Sequence, residues 1–348
     1  MRVIRPLNVA RLLALLLAFG VCIPSVPAEG ATKKKTTTRT VRKPTYSARA
    51  SQARKARLAR ARAAARAREQ ARLAALQEAM RPRFKTDATG ALVPDIRAAA
   101  AIIFDPESGQ VLWEENAQDK RSIASITKVM TALVFLEDNP DLTRQITVER
   151  GDVYAASTTY LRSNDRITLD DVLHLTLIAS DNAAARVLAR VSHGGTSPFI
   201  ERMNEKAVEL GLESTTFTDP SGLNPANISS AYDLSRLISF ASANETIAPI
   251  MRTAAYTART SRRSINIRNT NHLVRGGEVD VLGGKTGFIS KAGYCLATLL
   301  RLPQSNHQVA VVVLGAGSNN GRFWETRHLF NWLSEKATDV FAKDQESK

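Results

Sequence analysis

The segment that most constrains the fold is Ser125-Ile-Thr-Lys-Val-Met-Thr-Ala-Leu-Val-Phe-Leu136. Every position after Lys128 except Thr131 is apolar. A helix that carries apolar residues on all of its faces is stable only when it is buried on nearly all sides. We therefore predict a helix at the centre of a domain, with Ser125 at its N-terminus.

The spacing of Ser125 and Lys128 favours nucleophilic chemistry. Residues three apart lie on one face of a helix, so the lysine amine can reach the serine hydroxyl. The helix dipole at the N-terminus favours developing negative charge. Lysine can deprotonate serine only if its pKa falls from about 10.4 toward neutrality, which burial and a second cation both promote. We predict Ser125 as the nucleophile and Lys128 as its base.

Two later strings complete the predicted site. Ser180-Asp-Asn182 stands between an apolar run and an alanine-rich run, which indicates a turn between two helices. Lys285-Thr-Gly287 follows Val-Asp-Val-Leu-Gly-Gly and is predicted on a strand, where Lys285 is the candidate second cation. Gly287 would let a substrate backbone lie against that strand.

Each string also has an ordinary structural interpretation, as a helix cap, a helix start or a strand end. A Ser-x-x-Lys match occurs roughly once by chance in a chain of this length. The three strings occur in order on a predicted helix, a predicted turn and a predicted strand, and this arrangement favours an active site over the ordinary structural interpretations.

Other chemistries find little support. The sequence has no Gly-x-Ser-x-Gly and no His-Glu-x-x-His, and its five histidines lack metal-ligand spacing. We predict neither a metal nor another cofactor. Residues 309–321 resemble a nucleotide-binding strand and loop, but the third glycine is one position late, so a buried strand leading into the last helix is predicted.

A wider set of phrases resembles one family. These are Ile123-Ala-Ser-Ile-Thr-Lys-Val-Met-Thr-Ala132, Asp219-Pro-Ser-Gly-Leu-Asn224, Asn269-Thr-Asn-His-Leu273 and Gly284-Lys-Thr-Gly-Phe-Ile-Ser-Lys-Ala-Gly-Tyr-Cys-Leu296. Residues 94–333 resemble the low-molecular-mass penicillin-binding proteins, the serine D-Ala-D-Ala carboxypeptidase family, and most resemble its D-alanyl-D-alanine endopeptidase branch.

The resemblance implies a periplasmic serine DD-peptidase that cleaves D-Ala-containing bonds of peptidoglycan stem peptides, with β-lactams as covalent inhibitors. It implies that Ser125 attacks the D-alanine carbonyl and Lys128 takes its proton. Ser180 and Lys285 would relay a proton to the leaving amine. The resemblance also implies that Asn182 binds a substrate amide and that Lys285 and Thr286, beside Gly287, bind a carboxylate. The backbone N–H groups of Ser125 and Phe288 would form the oxyanion hole.

The element pattern predicts an α/β or α+β fold. A hairpin is expected at residues 98–115, helices over most of 125–250, strands at about 281–315, and an amphipathic helix at 323–333 that packs on the sheet. This pattern matches the penicillin-binding transpeptidase and β-lactamase-like fold that the resemblance implies. That fold is an antiparallel sheet flanked by helices, with a mostly helical subdomain.

Four segments are predicted along the chain. Residues 1–30 have a basic start, a short apolar run and Val26-Pro-Ala28, which indicate a signal peptide; lipidation at Cys22 is the less favoured interpretation because Val21 is bulky. Residues 31–87 form a basic tail or linker, 88–340 the catalytic domain, and 341–348 a C-terminal tail. Cys295 lies in an apolar strand and is predicted to be a core residue.

The charge is concentrated in the basic tail. Residues 31–85 hold 18 Lys and Arg against two acids, which leaves residues 86–348 with a net charge of −3. Residues 51–80 contain 12 alanines and no Gly or Pro, which favours a helix with arginines on all sides. An anionic envelope polymer, lipid headgroups or an acidic protein are candidate partners, and a solvated spacer is the alternative. Export argues against nucleic acid.

Three functional questions stay open at this point. Only 61 residues follow Gly287, too few for both a second β-domain and a membrane-binding helix, and this favours the endopeptidase branch over the carboxypeptidases. A β-lactamase is the alternative within the fold, although Asp219-Pro-Ser-Gly-Leu-Asn224 only imitates the Glu-Pro-x-x-Asn loop of the class A enzymes. A scaffold protein that works through its basic tail is the alternative outside enzymes.

Overall fold

The computed structural model describes residues 48–303 and 306–346, with side-chain burial for 50–303 and 306–336. The predicted signal peptide and the tail up to residue 47 lie outside the described residues. The chain divides into two compact units after Ala67, and the larger unit begins at Arg68. No helix in the described ranges combines the length and the apolar character needed to cross a membrane.

The described chain contains ten α-helices and thirteen strands, numbered here in chain order. The helices are α1 (Ala48–Met80), α2 (Lys128–Glu137), α3 (Arg150–Val153), α4 (Leu169–Leu177), α5 (Asn182–Val191), α6 (Thr196–Glu209), α7 (Ala231–Ser242), α8 (Ile247–Arg252), α9 (His272–Gly276) and α10 (Asn319–Glu346). The strands are β1 (Phe84–Thr86), β2 (Leu92–Pro94), β3 (Ala100–Phe104), β4 (Val111–Glu115), β5 (Arg121–Ser122), β6 (Gln145–Thr147), β7 (Arg166–Thr168), β8 (Ile228–Ser229), β9 (Ala255–Arg259), β10 (Ser264–Arg268), β11 (Asp280–Ile289), β12 (Gly293–Arg301) and β13 (Gln308–Ala316).

The main sheet has five strands in the order β11-β12-β13-β3-β4, and every neighbouring pair is antiparallel. The predicted hairpin supplies β3 and β4, with the turn at Gly109 in the left-handed region, φ 77°. The three later strands join β3 through β13. The N-terminal hairpin and the C-terminal strands therefore form one sheet, and β11 lies at its edge.

Both faces of the sheet are buried, and side chains alternate between them. On β13, Ala310, Val312 and Leu314 belong to one apolar cluster, while Val309, Val311 and Val313 belong to the other. Helix α7 contacts the sheet from the first side. Helix α10 covers the second side with Phe323, Leu329, Phe330 and Leu333. The predicted packing of the last helix on the sheet is confirmed.

Helix α2 is buried as predicted. Its residues from Lys128 to Phe135 are all buried, and α4, α5, α6 and α7 contact it. These helices form the mostly helical part of the domain. The architecture agrees with the predicted antiparallel sheet flanked by helices.

The structure adds order at both ends of the predicted catalytic domain. Strands β1 and β2 lie on either side of residue 88, the predicted start of the domain, and pair with each other. The His328 imidazole lies 2.8 Å from the Arg83 carbonyl. Helix α10 continues to Glu346, into the predicted C-terminal tail, because no Gly or Pro interrupts this part of the chain.

Candidate active site

Ser125 lies in a single 3₁₀ turn, Ala124–Thr127, that leads directly into α2. Ala124 has φ 48°, a left-handed conformation that costs a non-glycine residue energy and is found at functional sites. The turn is tied to the body of the domain because Ile123 donates its backbone N–H to the Asn227 carbonyl, 3.1 Å away. The nucleophile candidate therefore has a rigid support.

The Lys128 ammonium nitrogen meets three oxygen atoms. It lies 2.9 Å from Ser125 Oγ and 2.6 Å from Asn182 Oδ1, and it also donates to the Ser221 carbonyl. An amide oxygen and a carbonyl can only accept hydrogen bonds, whereas the serine hydroxyl can also donate. A neutral Lys128 amine can therefore donate to Asn182 and Ser221 while its lone pair accepts the Ser125 proton.

Burial lowers the pKa of Lys128 to about 7. The carboxylates of Asp219 and Asp181 oppose this shift, and the nearby cation Arg186 adds to it. The sequence pattern predicted Lys285 as a second cation. Burial and the charge of Lys128 hold the pKa of Lys285 well below its usual value, and the repulsion between two such cations acts on both.

Ser180 and Lys285 form a second pair, brought together from a turn and a strand. The Lys285 ammonium donates to Ser180 Oγ at 2.8 Å and to the Thr286 carbonyl at 3.0 Å. Ser180 connects α4 to α5 with φ 60°, so this residue also adopts the left-handed region. The predicted turn between two helices is present, and it holds the Ser180 hydroxyl against a buried lysine.

Asn182 has both ends of its amide engaged. Its oxygen accepts from Lys128, and its nitrogen donates to the Ala156 carbonyl at 2.8 Å. The resemblance implied that this amide holds a substrate amide. In the structure its oxygen positions Lys128, which leaves one N–H of the amide nitrogen for a ligand.

The edge strand β11 places Thr286, Gly287 and Phe288 along the cleft. Thr286 Oγ1 donates to Thr270 Oγ1 at 2.7 Å. A Cβ added to Gly287 would lie 2.6 Å from the Ile123 carbonyl oxygen. This glycine is therefore needed for contact with residues 123–127, the nucleophile turn, and not with substrate alone. Phe288 is 48% exposed and stacks on Tyr294 with ring centroids 4.2 Å apart.

The Asp219-Pro-Ser-Gly-Leu-Asn224 loop supports the nucleophile turn. The Asp219 carboxylate accepts from the backbone N–H groups of Ser221, Gly222 and Asn224 at 2.6 to 2.9 Å. Gly222 has φ 80°, and a Cβ there would lie 1.9 Å from the Ala124 carbonyl oxygen. This role of the phrase is not predictable from its residues alone, because it depends on close backbone contact with a distant segment.

Arg322 is a cleft residue that the sequence analysis missed. It comes from the first turns of α10, is 6% exposed, and donates to the carbonyls of Gly287 at 2.9 Å and Cys295 at 3.1 Å. Burial lowers its pKa to about 10. No ion pair joins it to a carboxylate in the described part of the chain. No motif spacing marks it, because it reaches the site from a distant helix.

The cleft between these elements has a volume of about 520 Å³. Six of the eight predicted site residues line it: Ser125, Ser180, Asn182, Thr286, Gly287 and Phe288. Lys128 and Lys285 are buried behind it, with 0% and 1% exposure. The structure thus brings all eight predicted residues to one place.

The Cys295 side chain does not line the cleft and belongs to the apolar core. Cys295 is buried in β12, and burial raises the pKa of its thiol to about 11, as suits a core residue. Across residues 48–303 and 306–346, no three His, Cys, Asp or Glu side chains cluster as metal ligands.

Comparisons with known proteins point to one family. Residues 87–318 match the family model described as D-alanyl-D-alanine carboxypeptidase. A D-alanyl-D-alanine endopeptidase of Escherichia coli is 34% identical over 250 residues, which cover 71% of this chain and 80% of the relative. A D-alanyl-D-alanine endopeptidase of Pseudomonas aeruginosa is 32% identical, with 70% and 79% covered.

Solved structures have the same fold. The DD-transpeptidase of Streptomyces K15 superposes with a TM-score of 0.64 at 29% identity, over 69% of this chain and 97% of that one. A penicillin-binding protein homologue from Mycobacterium tuberculosis superposes with a TM-score of 0.64 at 27% identity, over 71% and 95%. The predicted fold class is confirmed.

Proposed function

Because the chain belongs to the D-alanyl-D-alanine carboxypeptidase family, a family of serine hydrolases, we propose that it cleaves D-alanine-containing bonds of peptidoglycan through an acyl-enzyme at Ser125. The observation that carries this proposal is the Lys128 amine, fully buried, 2.9 Å from the Ser125 hydroxyl. The other two partners of the Lys128 amine, the Asn182 amide oxygen and the Ser221 carbonyl, only accept hydrogen bonds. Among these three partners, the Ser125 hydroxyl is therefore the one that can give its proton to the lone pair of the neutral amine.

The first step forms an ester. Ser125 Oγ attacks the D-alanine carbonyl carbon as its proton passes to Lys128 Nζ, and the carbonyl oxygen becomes an oxyanion. The backbone N–H groups of Ser125 and Phe288 are assigned as the donors to that oxyanion. The peptide C–N bond then breaks as the leaving amine takes a proton from Ser180, which Lys285 replaces. Water later attacks the ester and gives a proton back through Ser180 to Lys285, while Lys128 returns its proton to Ser125 Oγ as the ester C–O bond breaks.

The part of the cleft expected to hold the leaving group suits a carboxylate. Arg322 is a buried cation with no carboxylate partner among the described side chains, and the buried Lys285 amine and the Thr286 side chain lie on the same strand of the cleft. A carboxylate next to the cleaved bond would therefore be held by charge-assisted hydrogen bonds in a site of low polarity.

The Asp219 loop argues against a β-lactamase. Rapid deacylation requires a carboxylate that is free to activate water. The Asp219 carboxylate instead accepts four hydrogen bonds from its own loop, including one from the Ser221 hydroxyl at 2.6 Å. A slow deacylation follows, and β-lactams are proposed to act as long-lived covalent inhibitors.

We favour cleavage of cross-links over removal of a terminal D-alanine, since relatives named D-alanyl-D-alanine endopeptidase match over about four fifths of their length. Carboxypeptidases of the family also match, among them one of Bacillus subtilis at 30% identity. Export to the periplasm is proposed from the sequence of residues 1–30.

Intact-mass spectrometry of the full chain tests this function. The protein is incubated with benzylpenicillin and, separately, with a cross-linked muropeptide dimer, and Ser125→Ala is the matched control. We expect one stable penicillin adduct on the wild type, none on the variant, and conversion of the dimer to monomers by the wild type alone.

Each contrary result has a distinct meaning. Rapid penicillin turnover without an adduct would indicate a β-lactamase. Release of D-alanine from a monomeric pentapeptide without cleavage of the dimer would indicate a carboxypeptidase. Absence of any reaction that depends on Ser125 would favour the scaffold alternative.

The basic helix α1 is proposed to bind an anionic partner of the envelope. Its described arginines are exposed, and its described side chains show one ion pair, Arg72 with Glu69 at 3.7 Å. Its charged side chains are distributed around the whole helix, and its apolar side chains form no continuous stripe. This arrangement suits a polyanion better than insertion into a membrane surface. Deleting residues 31–67 would abolish envelope association and leave hydrolysis intact if this assignment holds.

A further inference from the structure

One segment of the catalytic domain is rich in arginine and has no acidic residue. Residues 246–277 contain six arginines and no Asp or Glu, although residues 86–348 as a whole carry a net charge of −3. The segment includes the hairpin of β9 and β10. A local excess of positive charge in an otherwise slightly acidic domain indicates a surface that attracts anionic groups.

The hairpin has one polar face. Side chains two apart on a strand lie on the same face, so Ser264, Asn266 and Arg268 are exposed together. Arg259 is directly opposite Ser264 in the antiparallel register and shares that face. The face therefore combines hydroxyl, amide and guanidinium groups and has no large apolar side chain.

A second cavity, of about 380 Å³, adjoins this face. Residues 159–162 form one wall and residues 263–266 the other. Arg162 lines this cavity and is exposed. No hydrogen bond or ion pair engages the guanidinium of Arg162, Arg259 or Arg268 within the described ranges.

Arg263 differs from these three because it holds the cavity together. Its guanidinium lies 3.6 Å from the buried Asp165 carboxylate and donates to the Tyr160 carbonyl. It therefore joins the hairpin to the opposite wall. The cavity is supported by a structural arginine and lined by one free arginine, Arg162, and two more free arginines, Arg259 and Arg268, lie on the adjoining hairpin face.

Both walls of the second cavity continue from the walls of the catalytic cleft. Thr158 lines the cleft and Thr159 lines the second cavity. The Tyr160 backbone N–H donates to Asp181, the middle residue of the Ser180-Asp-Asn182 turn, at 2.6 Å. On the other side, β10 leads within two residues to Thr270, which lines the cleft and bonds Thr286. The second cavity therefore adjoins the Ser180 and Thr286 side of the cleft, where the leaving group is expected.

We propose that this cavity, with Arg162 in its wall and Arg259 and Arg268 on the adjoining hairpin face, binds the leaving strand of a cross-linked substrate, an acidic peptide with free carboxylates. The inference rests on the proposed function, because it requires a substrate with a second peptide strand beyond the cleaved bond. A substrate whose leaving group is a single D-alanine ends in the first cleft and does not reach the arginines. The site thus selects for cross-links rather than for peptide ends.

Binding to the inactive Ser125→Ala protein tests the inference without depending on cleavage. Calorimetry would compare a muropeptide dimer with a monomeric pentapeptide stem, in the Ser125→Ala background with and without Arg162→Gln and Arg259→Gln. We expect dimer affinity to fall about tenfold in the double arginine variant and monomer affinity to stay within about twofold. Lys85→Gln removes one charge on β1, outside the arginine segment, and should leave both affinities unchanged.

The outcomes separate the two proposals. An unchanged dimer affinity, or an equal loss for dimer and monomer, would overturn the leaving-strand site even if the wild-type enzyme cuts dimers. A selective loss for the dimer, with a wild-type enzyme that leaves dimers uncut, would support the binding site and refute the endopeptidase assignment. Penicillin acylation of the arginine variants with Ser125 intact checks that the cleft is still folded.

Discussion

Helices α2 and α1 show two ways in which one chain stabilises a helix. In α2, eight of ten residues are buried, and the helix depends on its packing against four other helices and the nucleophile turn. In α1, the described side chains are almost all exposed over 33 residues, and the helix depends on the intrinsic preference of alanine and arginine. A change in α2 should therefore affect the whole domain, whereas a change in α1 should stay local.

The contrast extends to charge. The cation of α2, Lys128, is buried and has a lowered pKa, so it can act as a base. The described cations of α1 are exposed to water, where they can offer only a charged surface to anions. The same type of group thus performs chemistry in one helix and offers a charged surface in the other.

Lys128→Met should produce the largest effect. Loss of the general base is expected to slow acylation by benzylpenicillin by about 10³-fold, within the range for removal of such a group. The second-order rate of adduct formation, followed by intact mass, measures it. Lys85→Met, an exposed lysine on β1, is the matched control and should acylate at the wild-type rate. A fall of less than tenfold in Lys128→Met would show that another group takes the serine proton.

The pH dependence of acylation should follow Lys128. Only the neutral amine accepts a proton, and with a pKa of about 7 roughly 1% of it is neutral at pH 5. Relative to its plateau above pH 8, we expect the acylation rate to fall about twofold at pH 7, about tenfold at pH 6 and about a hundredfold at pH 5. A rate that is flat between pH 5 and 8 would contradict the assignment.

The same pKa shift predicts how stability depends on pH. Between about pH 7 and 10.5 the unfolded chain binds a proton at Lys128 that the folded protein lacks. The free energy of unfolding should therefore rise with pH across this window. Lys128→Met removes this contribution, so its unfolding free energy should rise less than that of the wild type in denaturant titrations at pH 7 and 9.

Gly222→Ala tests whether the nucleophile turn depends on backbone contact. The new Cβ would meet the Ala124 carbonyl, and the left-handed φ adds strain, so we expect a loss of about 2 to 3 kcal/mol in unfolding free energy. Acylation should also slow, because Ser125 moves with the turn. Gly151→Ala is the control, since nothing lies within 4 Å of its Cβ. Equal stability of the two variants would refute the contact.

The sequence predicted those parts of the site that a local pattern carries. The apolar run after Lys128 predicted the buried helix, and the short strings predicted the turn at Ser180 and the strand at Lys285. The structure brings these elements together around one cleft. The fold followed from the resemblance and from the order of strands and helices.

Other parts could not be predicted, because they depend on contacts between distant segments. Arg322 reaches the cleft from a helix that begins 30 residues after β11, and no spacing relates it to Ser125. Gly222 has meaning only once its loop lies against Ala124. The lowered pKa values of Lys128 and Lys285 also depend on the complete burial of both amines, which neither string contains.

Neutralising α1 should have the smallest effect on the catalytic domain. Arg54→Gln, Arg57→Gln and Arg60→Gln, made together, replace exposed residues with one of similar helix preference, so unfolding free energy should change by less than about 0.5 kcal/mol. Acylation should stay within about twofold of the wild type. Retention on an immobilised polyanion should end at a lower salt concentration, because fewer charges are in contact. A tenfold loss of acylation would show that α1 acts on the active site, and the contrast between a chemical helix and a charged surface would then fail.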